Sequence, residues 1–128
     1  MEHLKKSIKS FKDLDAWKLG RTIRNEVYEI INNLPESEKY NLANQMRRAA
    51  ISITANIAEG YGRYHYQENI QFLRISRGSL NEIWDHLTTC LDQGYIEDKV
   101  FIEIERNIVK EIKIIDGLIR YLNTKKMS

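Results

Sequence analysis

A chain of 128 residues, 42% hydrophobic and 30% charged, has the length of one domain and enough apolar content for a real core. Its net charge of +2 is too small alone to argue for nucleic acid, and its single cysteine excludes an internal disulfide framework and fits a reducing compartment. One proline and six glycines exclude a low-complexity chain, and no apolar run approaches the roughly 20 residues of a membrane span.

The opening Met-Glu-His-Leu-Lys-Lys-Ser lacks the apolar stretch of a secretory signal, so a cytoplasmic location is expected. Residues 1–10 carry Lys5, Lys6 and Lys9 and few apolar groups. They read as a flexible basic arm ahead of a single domain over residues 11–128. Asp13 is a cap candidate for a first helix that reaches about residue 33, with Leu14, Trp17, Val27, Tyr28 and Ile31 at helical spacing. Phe11 stands where a hydrophobic staple would pack back onto that helix. Gly20 weakens the helix middle by ~1 kcal/mol relative to Ala. Leu34-Pro35 ends it, because the residue before proline avoids the αR region.

Ser37 is a cap candidate for a second helix, although Tyr40 stands where a capping box wants Glu. This helix runs to Gly60, and over residues 49–58 it carries no charge. Leu42, Met46, Ala49, Ala50, Ile53 and Ile57 form an apolar stripe; Gln45, Arg48, Ser52, Asn56 and Glu59 form a polar stripe beside it. So little of the circumference suits water that the helix is expected at the centre of the fold and at a subunit interface. Residues 61–66 form an aromatic, basic loop. A third helix spans about residues 67–93, with Gly94 as its stop. Phe72, Leu73, Ser76, Leu80, Ile83, Trp84, Leu87, Cys90 and Leu91 fall on one arc, and Arg74, Gly78, Asn81 and Asp85 on the opposite one. Gly78-Ser79 in mid-helix predicts close contact with the Ala-rich second helix. A fourth helix runs from residue 97 or 98 to about 123 and buries Phe101, Ile104, Ile108, Ile112, Ile115, Ile119 and Leu122. Ile102, Val109 and Ile114 lie off that face, a surplus that favours association. Nothing reads as a strand. Short connections between long helices predict an all-α, antiparallel up-down-up-down four-helix bundle.

Such a bundle raises the question of a di-iron site, which needs Glu-x-x-His on two helices. None of His3, His65 and His86 has a Glu three residues earlier. Glu82 and His86 are four apart on the polar side and read as a solvated pair. Cys90 reads as a small buried hydrophobe. No cofactor or metal is expected, and no catalytic constellation is present, so an enzyme is not expected. Two sets of side chains remain. Ser52, Asn56 and Glu59 on the second helix, with Ser79 and Glu82 on the third, form a polar set that fixes helix register, with Arg48 or Arg63 pairing Glu59. The same set could line a pocket for a small ligand. Arg47, Arg48, Arg63, Arg74 and Arg77, interleaved with Tyr61, Tyr64 and Tyr66, suit an RNA or DNA backbone once repeated in an oligomer. They suit intersubunit salt bridges equally well.

The order Phe11-x-x-Leu14-x-x-Trp17, Pro35-x-x-Glu38, Gln45-x-Arg47-Arg48-Ala49-Ala50-x-Ser52-Ile53, Asn56-Ile57-Ala58-Glu59-Gly60, Phe72-Leu73 and Gly78-Ser79-Leu80-x-Glu82 resembles a known family. It is that of the four-helix-bundle proteins encoded in intervening sequences of bacterial 23S ribosomal RNA genes. The likeness covers residues 11–95 and is most specific in its middle third. Ser76 stands where many relatives have Ala. The resemblance implies a four-helix bundle that assembles as a five-subunit ring, without an established enzymatic activity. It also implies distant kinship with the accessory protein of diversity-generating retroelements, which partners a reverse transcriptase and binds nucleic acid through basic residues. The expected function is thus a non-enzymatic, homo-oligomeric assembly or adaptor module with sequence-independent nucleic-acid binding. The alternative is a structural or protein-binding oligomer whose arginines bridge subunits.

Overall fold

The computed structural model describes residues 8–127, with side chains to residue 125. The basic arm expected over residues 1–10 therefore lies, as far as residue 7, outside the described residues. Among those described there are four long helices and no strand: α1 (Asp15–Asn32), α2 (Leu42–Tyr61), α3 (Tyr66–Asp92) and α4 (Asp98–Met127).

The entry to α1 is a tight 3-10 turn, Phe11–Asp13. The Asp13 carboxylate accepts from the backbone N–H groups of Lys9 (2.8 Å) and Ser10 (3.3 Å), while the Ser10 hydroxyl accepts from Lys12 N–H. Those backbone donors hold the Asp13 carboxyl below its usual range. Asp13 therefore closes a capping box one turn ahead of α1 rather than capping α1 itself. Leu14 separates the two in extended conformation with its side chain buried. Phe11 meets Trp17 edge to face, ring centroids 5.3 Å apart, the staple contact its position predicts.

α2 starts at Leu42, five residues later than Ser37. Pro35 leads instead into a second 3-10 turn, Glu36–Glu38, and Tyr95 donates its hydroxyl proton to Glu38 at 2.8 Å, tying this connection to the one between α3 and α4. At the end of α3 Gly94 has φ +76°; its N–H bonds Leu91 O, and Tyr95 N–H bonds Cys90 O at 2.8 Å. That pair of closing bonds is a Schellman stop, which needs a left-handed residue.

α2 packs on α1 and α3, and α4 packs on the same two helices. Ile23, Met46, Ile53, Ile57, Leu73, Leu80, Ile83, Leu87, Ile104, Ile108 and Ile115 are fully buried between them. Cys90 lies in this core with its thiol against the Met46 sulfur at 3.8 Å, and burial pushes its pKa up to about 11, so the thiolate is not accessible at neutral pH. α2 approaches α3 closely. Ser76 Oγ donates to Ile53 O at 2.8 Å, and Ser79 Oγ donates to Ser52 Oγ at 2.7 Å. Gly60 is inside α2, which ends at Tyr61 with Gly62 as its cap. A Cβ on Gly60 would stand 2.7 Å from Asn69 Oδ1 and 2.9 Å from Phe72 Cβ. Gly60 is thus a contact glycine rather than the helix stop. Gly78 meets nothing within 4 Å and is exposed. Of the pair Gly78-Ser79 only Ser79 touches α2, because the next position along a helix is turned by about 100°.

These two glycines make opposite expectations. Gly60→Ala should lower stability by about 1–3 kcal/mol, because backbone and Cβ atoms of α3 must shift. Gly78→Ala should raise it by roughly 0.5–1 kcal/mol, the helical preference of Ala with nothing to displace. Thermal denaturation of both variants checks this; equal effects of the same sign would contradict the placement of either glycine.

Candidate functional site

The seam between α2 and α3 carries the polar set expected from sequence, in two parts. Ser52, Asn56 and Ser79 form one hydrogen-bonded unit: Asn56 Nδ2 donates to Ser52 O and to Ser52 Oγ, each at 2.8 Å, and Ser79 donates to Ser52. Glu59 and Glu82 point outward instead, Glu59 to a residue just past the end of α2 and Glu82 along α3. Arg63 meets Glu59 at 2.7 Å, and His86 meets Glu82 at 3.2 Å. Gln45, Arg48, Ala49, Ser52, Ser79 and Glu82 line a shallow cleft over this seam. Its two hydroxyls are bonded to each other, Ser79 Oγ donating to Ser52 Oγ. Among the described residues no group of three His, Cys, Asp or Glu side chains gathers to hold a metal ion.

The five arginines singled out from sequence separate as clearly. Arg63, besides Glu59, approaches Glu68 at 4.0 Å and lies over the Phe72 ring. Arg77 bridges to Asp116 on α4. Arg47, Arg48 and Arg74 have no carboxylate within 4 Å among the described residues. Two further arginines join them. Arg21 lies over the Trp17 ring at 5.8 Å, and Arg24 donates to Thr54 Oγ1 at 3.2 Å. Arg24, Tyr28, Ile51, Thr54 and Ala55 line a cleft between α1 and α2. Ile51 is 47% exposed there, and Arg47 and Arg48 lie one turn before it. The i, i+3, i+7 spacing of Arg21, Arg24 and Tyr28 was the sequence signal for this face.

The groove between α1 and α4 has the opposite character. Ile30, Ile96, Val100 and Ile104 give it apolar walls, and Glu26, Glu29, Glu97 and Glu103 give it an acidic rim, with Lys99 among them. Burial raises the Glu26 carboxyl above its usual range; a hydrogen bond from Asn107 opposes this, and the charges of Glu103 and Glu29 add to it.

Sequence reasoning missed Glu111. It sits on α4 in the stripe of Ile104, Ile108 and Ile115, is 0% exposed, and among the described residues both its carboxyl oxygens lack a hydrogen-bond partner. A Cβ on Gly20 would stand 3.0 Å from Glu111 Oε2 and 3.3 Å from Ile53 Cγ2, so Gly20 makes the room that this acid occupies. Burial pushes the carboxyl up to about 9, and it carries its proton at neutral pH. The spacing 104, 108, 111, 115 is a helical stripe with one acid in it, which was the available signal.

Between the ordinary carboxyl value of 4.5 and about 9, the folded chain holds a proton that the unfolded chain has released. Glu111 therefore lowers stability progressively as pH rises through that window, by on the order of 1 kcal/mol per unit. Glu111→Gln stays neutral in both states. Its melting temperature should match the parent near pH 5 and exceed it increasingly towards pH 9. Parallel melting profiles across that range would contradict the buried acid.

A comparison with curated proteins finds no match to the chain. The family described as 23S rRNA-intervening sequence protein matches residues 12–117, which takes in α1, α2, α3 and α4 as far as Gly117. That span contains the Ser52–Asn56–Ser79 unit, every arginine discussed above, and both partners in the contact of Gly20 with Glu111. The match covers most of the sequence and agrees with the four observed helices: the chain belongs to the 23S rRNA-intervening sequence protein family.

Proposed function

We propose that this chain is a non-enzymatic helical module that assembles with copies of itself, each subunit an antiparallel up-down-up-down bundle. Cross-helix pairs support the alternation. From Arg77 to Trp84 along α3, the partners on α4 run back from Asp116 to Glu105. From Gly20 to Glu26 along α1, they run back from Glu111 to Asn107. From Met46 to Ser52 along α2, the partners on α3 run back from Cys90 to Ser79.

The observation that carries assembly is Ile51. A half-exposed isoleucine sits in the uncharged part of α2, flanked by Arg24, Arg47 and Arg48, and among the described residues none of the three has a carboxylate partner. An apolar side chain rimmed by unmatched charge is the composition of an interface patch. The five-subunit ring of similar proteins is the form expected. A cytoplasmic setting belongs to the same reading, supported by the buried free thiol of Cys90.

A second role, sequence-independent binding of RNA or DNA, is supported at a different place. Arg74 is exposed on α3 and has no carboxylate partner among the described residues, and Tyr61, Tyr64 (92% exposed) and Tyr66 are exposed about the connection between α2 and α3. Exposed aromatic rings suit stacked bases, and an unpaired guanidinium suits phosphate.

Light scattering on nuclease-treated protein at micromolar concentration tests assembly. A multi-subunit mass is expected, and a monodisperse 15.2 kDa species would overturn it. For the second role, Arg74→Ala should weaken binding to random RNA and DNA alike. It should also flatten the slope of log K against log salt by about one contact per engaged subunit. Parent protein with no affinity at low salt would end that role.

A further inference from the structure

We propose that the groove between α1 and α4 of one copy receives the Ile51 ridge of α2, with its flanking arginines, from a second copy. This rests on the self-assembly reading above and adds to it the two faces and their pairing.

The two surfaces complement each other in layout as well as in sign. The ridge has an apolar centre, Ile51, with Arg47 and Arg48 a turn before it and Arg24 beside it. The groove has an apolar floor, with Val100 39% exposed at its edge, and a rim of Glu26, Glu29, Glu97 and Glu103. An apolar centre inside a charged rim, matched by the opposite rim, fixes register and excludes wrong partners. Among the described residues neither charge set is neutralised within its own chain. The four rim carboxylates have no cation within 4 Å among the described residues, and Lys99 is the cation that shares their groove. Glu26 already feels the repulsion of Glu29 and Glu103. Arginines from another subunit would relieve it.

The two faces differ, so the contact is head-to-tail and leaves one of each free at every addition. Such a contact gives a closed ring or an open filament, depending on whether it also shifts the subunits along the axis. Here α1 contributes to both faces, Arg24 to the ridge and Glu26, Glu29 and Ile30 to the groove. Arg24 and Glu26 are two residues apart, about 3 Å of helix rise, and Glu29 follows Tyr28 directly.

A charge swap tests the pairing. Glu97→Arg with Glu103→Arg reverses the exposed rim, and Arg47→Glu with Arg48→Glu reverses the ridge. Each pair alone should raise the concentration needed for assembly by about tenfold or more, because like charges then face each other. The chain carrying all four substitutions should regain assembly to within a few-fold of the parent. Circular dichroism melts confirm that each variant is folded. Should the four-substitution chain fail to fold, Ile51→Ser replaces it: it leaves every charge in place and should weaken assembly without lowering the melting temperature of the isolated subunit. An oligomeric parent whose mass survives both reversals would overturn this docking and leave self-assembly standing, whereas a monomeric parent would overturn self-assembly itself. Reversal of the ridge that spares the oligomer but abolishes affinity for random RNA would assign the ridge to nucleic acid and also overturn the proposal.

Discussion

The constraint on which the rest of the structure depends is the run of residues 49–58 in α2, which has no charge in a chain that is 30% charged. A helix with so little for water to solvate must be covered, and its neighbours are shaped to cover it. α3 comes in close because Ser76 and Ser79 are small and their hydroxyls bond Ile53 O and Ser52 Oγ. A hydroxyl buried without such a partner would cost about 1–3 kcal/mol, so these bonds also fix the register of α3 against α2. Gly60 continues that approach into the last turn of α2, where even a methyl group would collide with Asn69 and Phe72. On the other side α1 presents Gly20, and Thr54 takes a hydrogen bond from Arg24. Ile51 and Ala55 are the residues of this run that remain exposed.

Beneath Gly20 the same packing encloses a group that resists burial. Glu111 Oε2 lies where a larger residue at position 20 would extend, and no donor among the described residues reaches either oxygen. The low-dielectric surroundings leave the protonated acid as the form compatible with the fold. The fold thus tolerates a carboxyl at the junction of α1, α2 and α4 only in its neutral form, and its stability becomes linked to pH there. Hydrophobic burial decides the outcome: Ile23, Ile53, Ile108 and Ile115 are fully buried, and each such side chain contributes roughly 1.5–3 kcal/mol.

Much of this was legible in the residues, and what was not has physical reasons. The helix count, the core stripes and the Gly94 stop follow from periodicity and from glycine's freedom at positive φ. Ser52, Asn56 and Ser79 were singled out because small polar side chains amid apolar neighbours must find partners, but which of them bond each other depends on how α2 and α3 meet. The start of α2 was misplaced because Ser37 looks like a cap, whereas Pro35 and the Glu36–Glu38 turn hold the chain out of α-helix until Leu42. Gly60 was read as a stop because a glycine near the end of a helix pattern usually is one. Its role in packing depends on Asn69 and Phe72, whose proximity no local pattern encodes. Glu111 was passed over because a single acid inside an isoleucine stripe carries no motif. The pairing of Arg77 with Asp116 joins residues on different helices and is likewise a product of tertiary structure.

The central claim is that the part of α2 left bare by its own chain is covered by the α1–α4 groove of another copy. Cysteines placed at Ile51 and Val100 test it most directly, since these residues line different clefts of one subunit and the native Cys90 is buried. Under mild oxidation, the account predicts that chains carrying both substitutions form a covalent ladder on a non-reducing gel, up to the size of the assembly, while each single variant stays a single chain. A double variant that remains one chain, or Ile51→Cys alone that links to itself as readily, would contradict it.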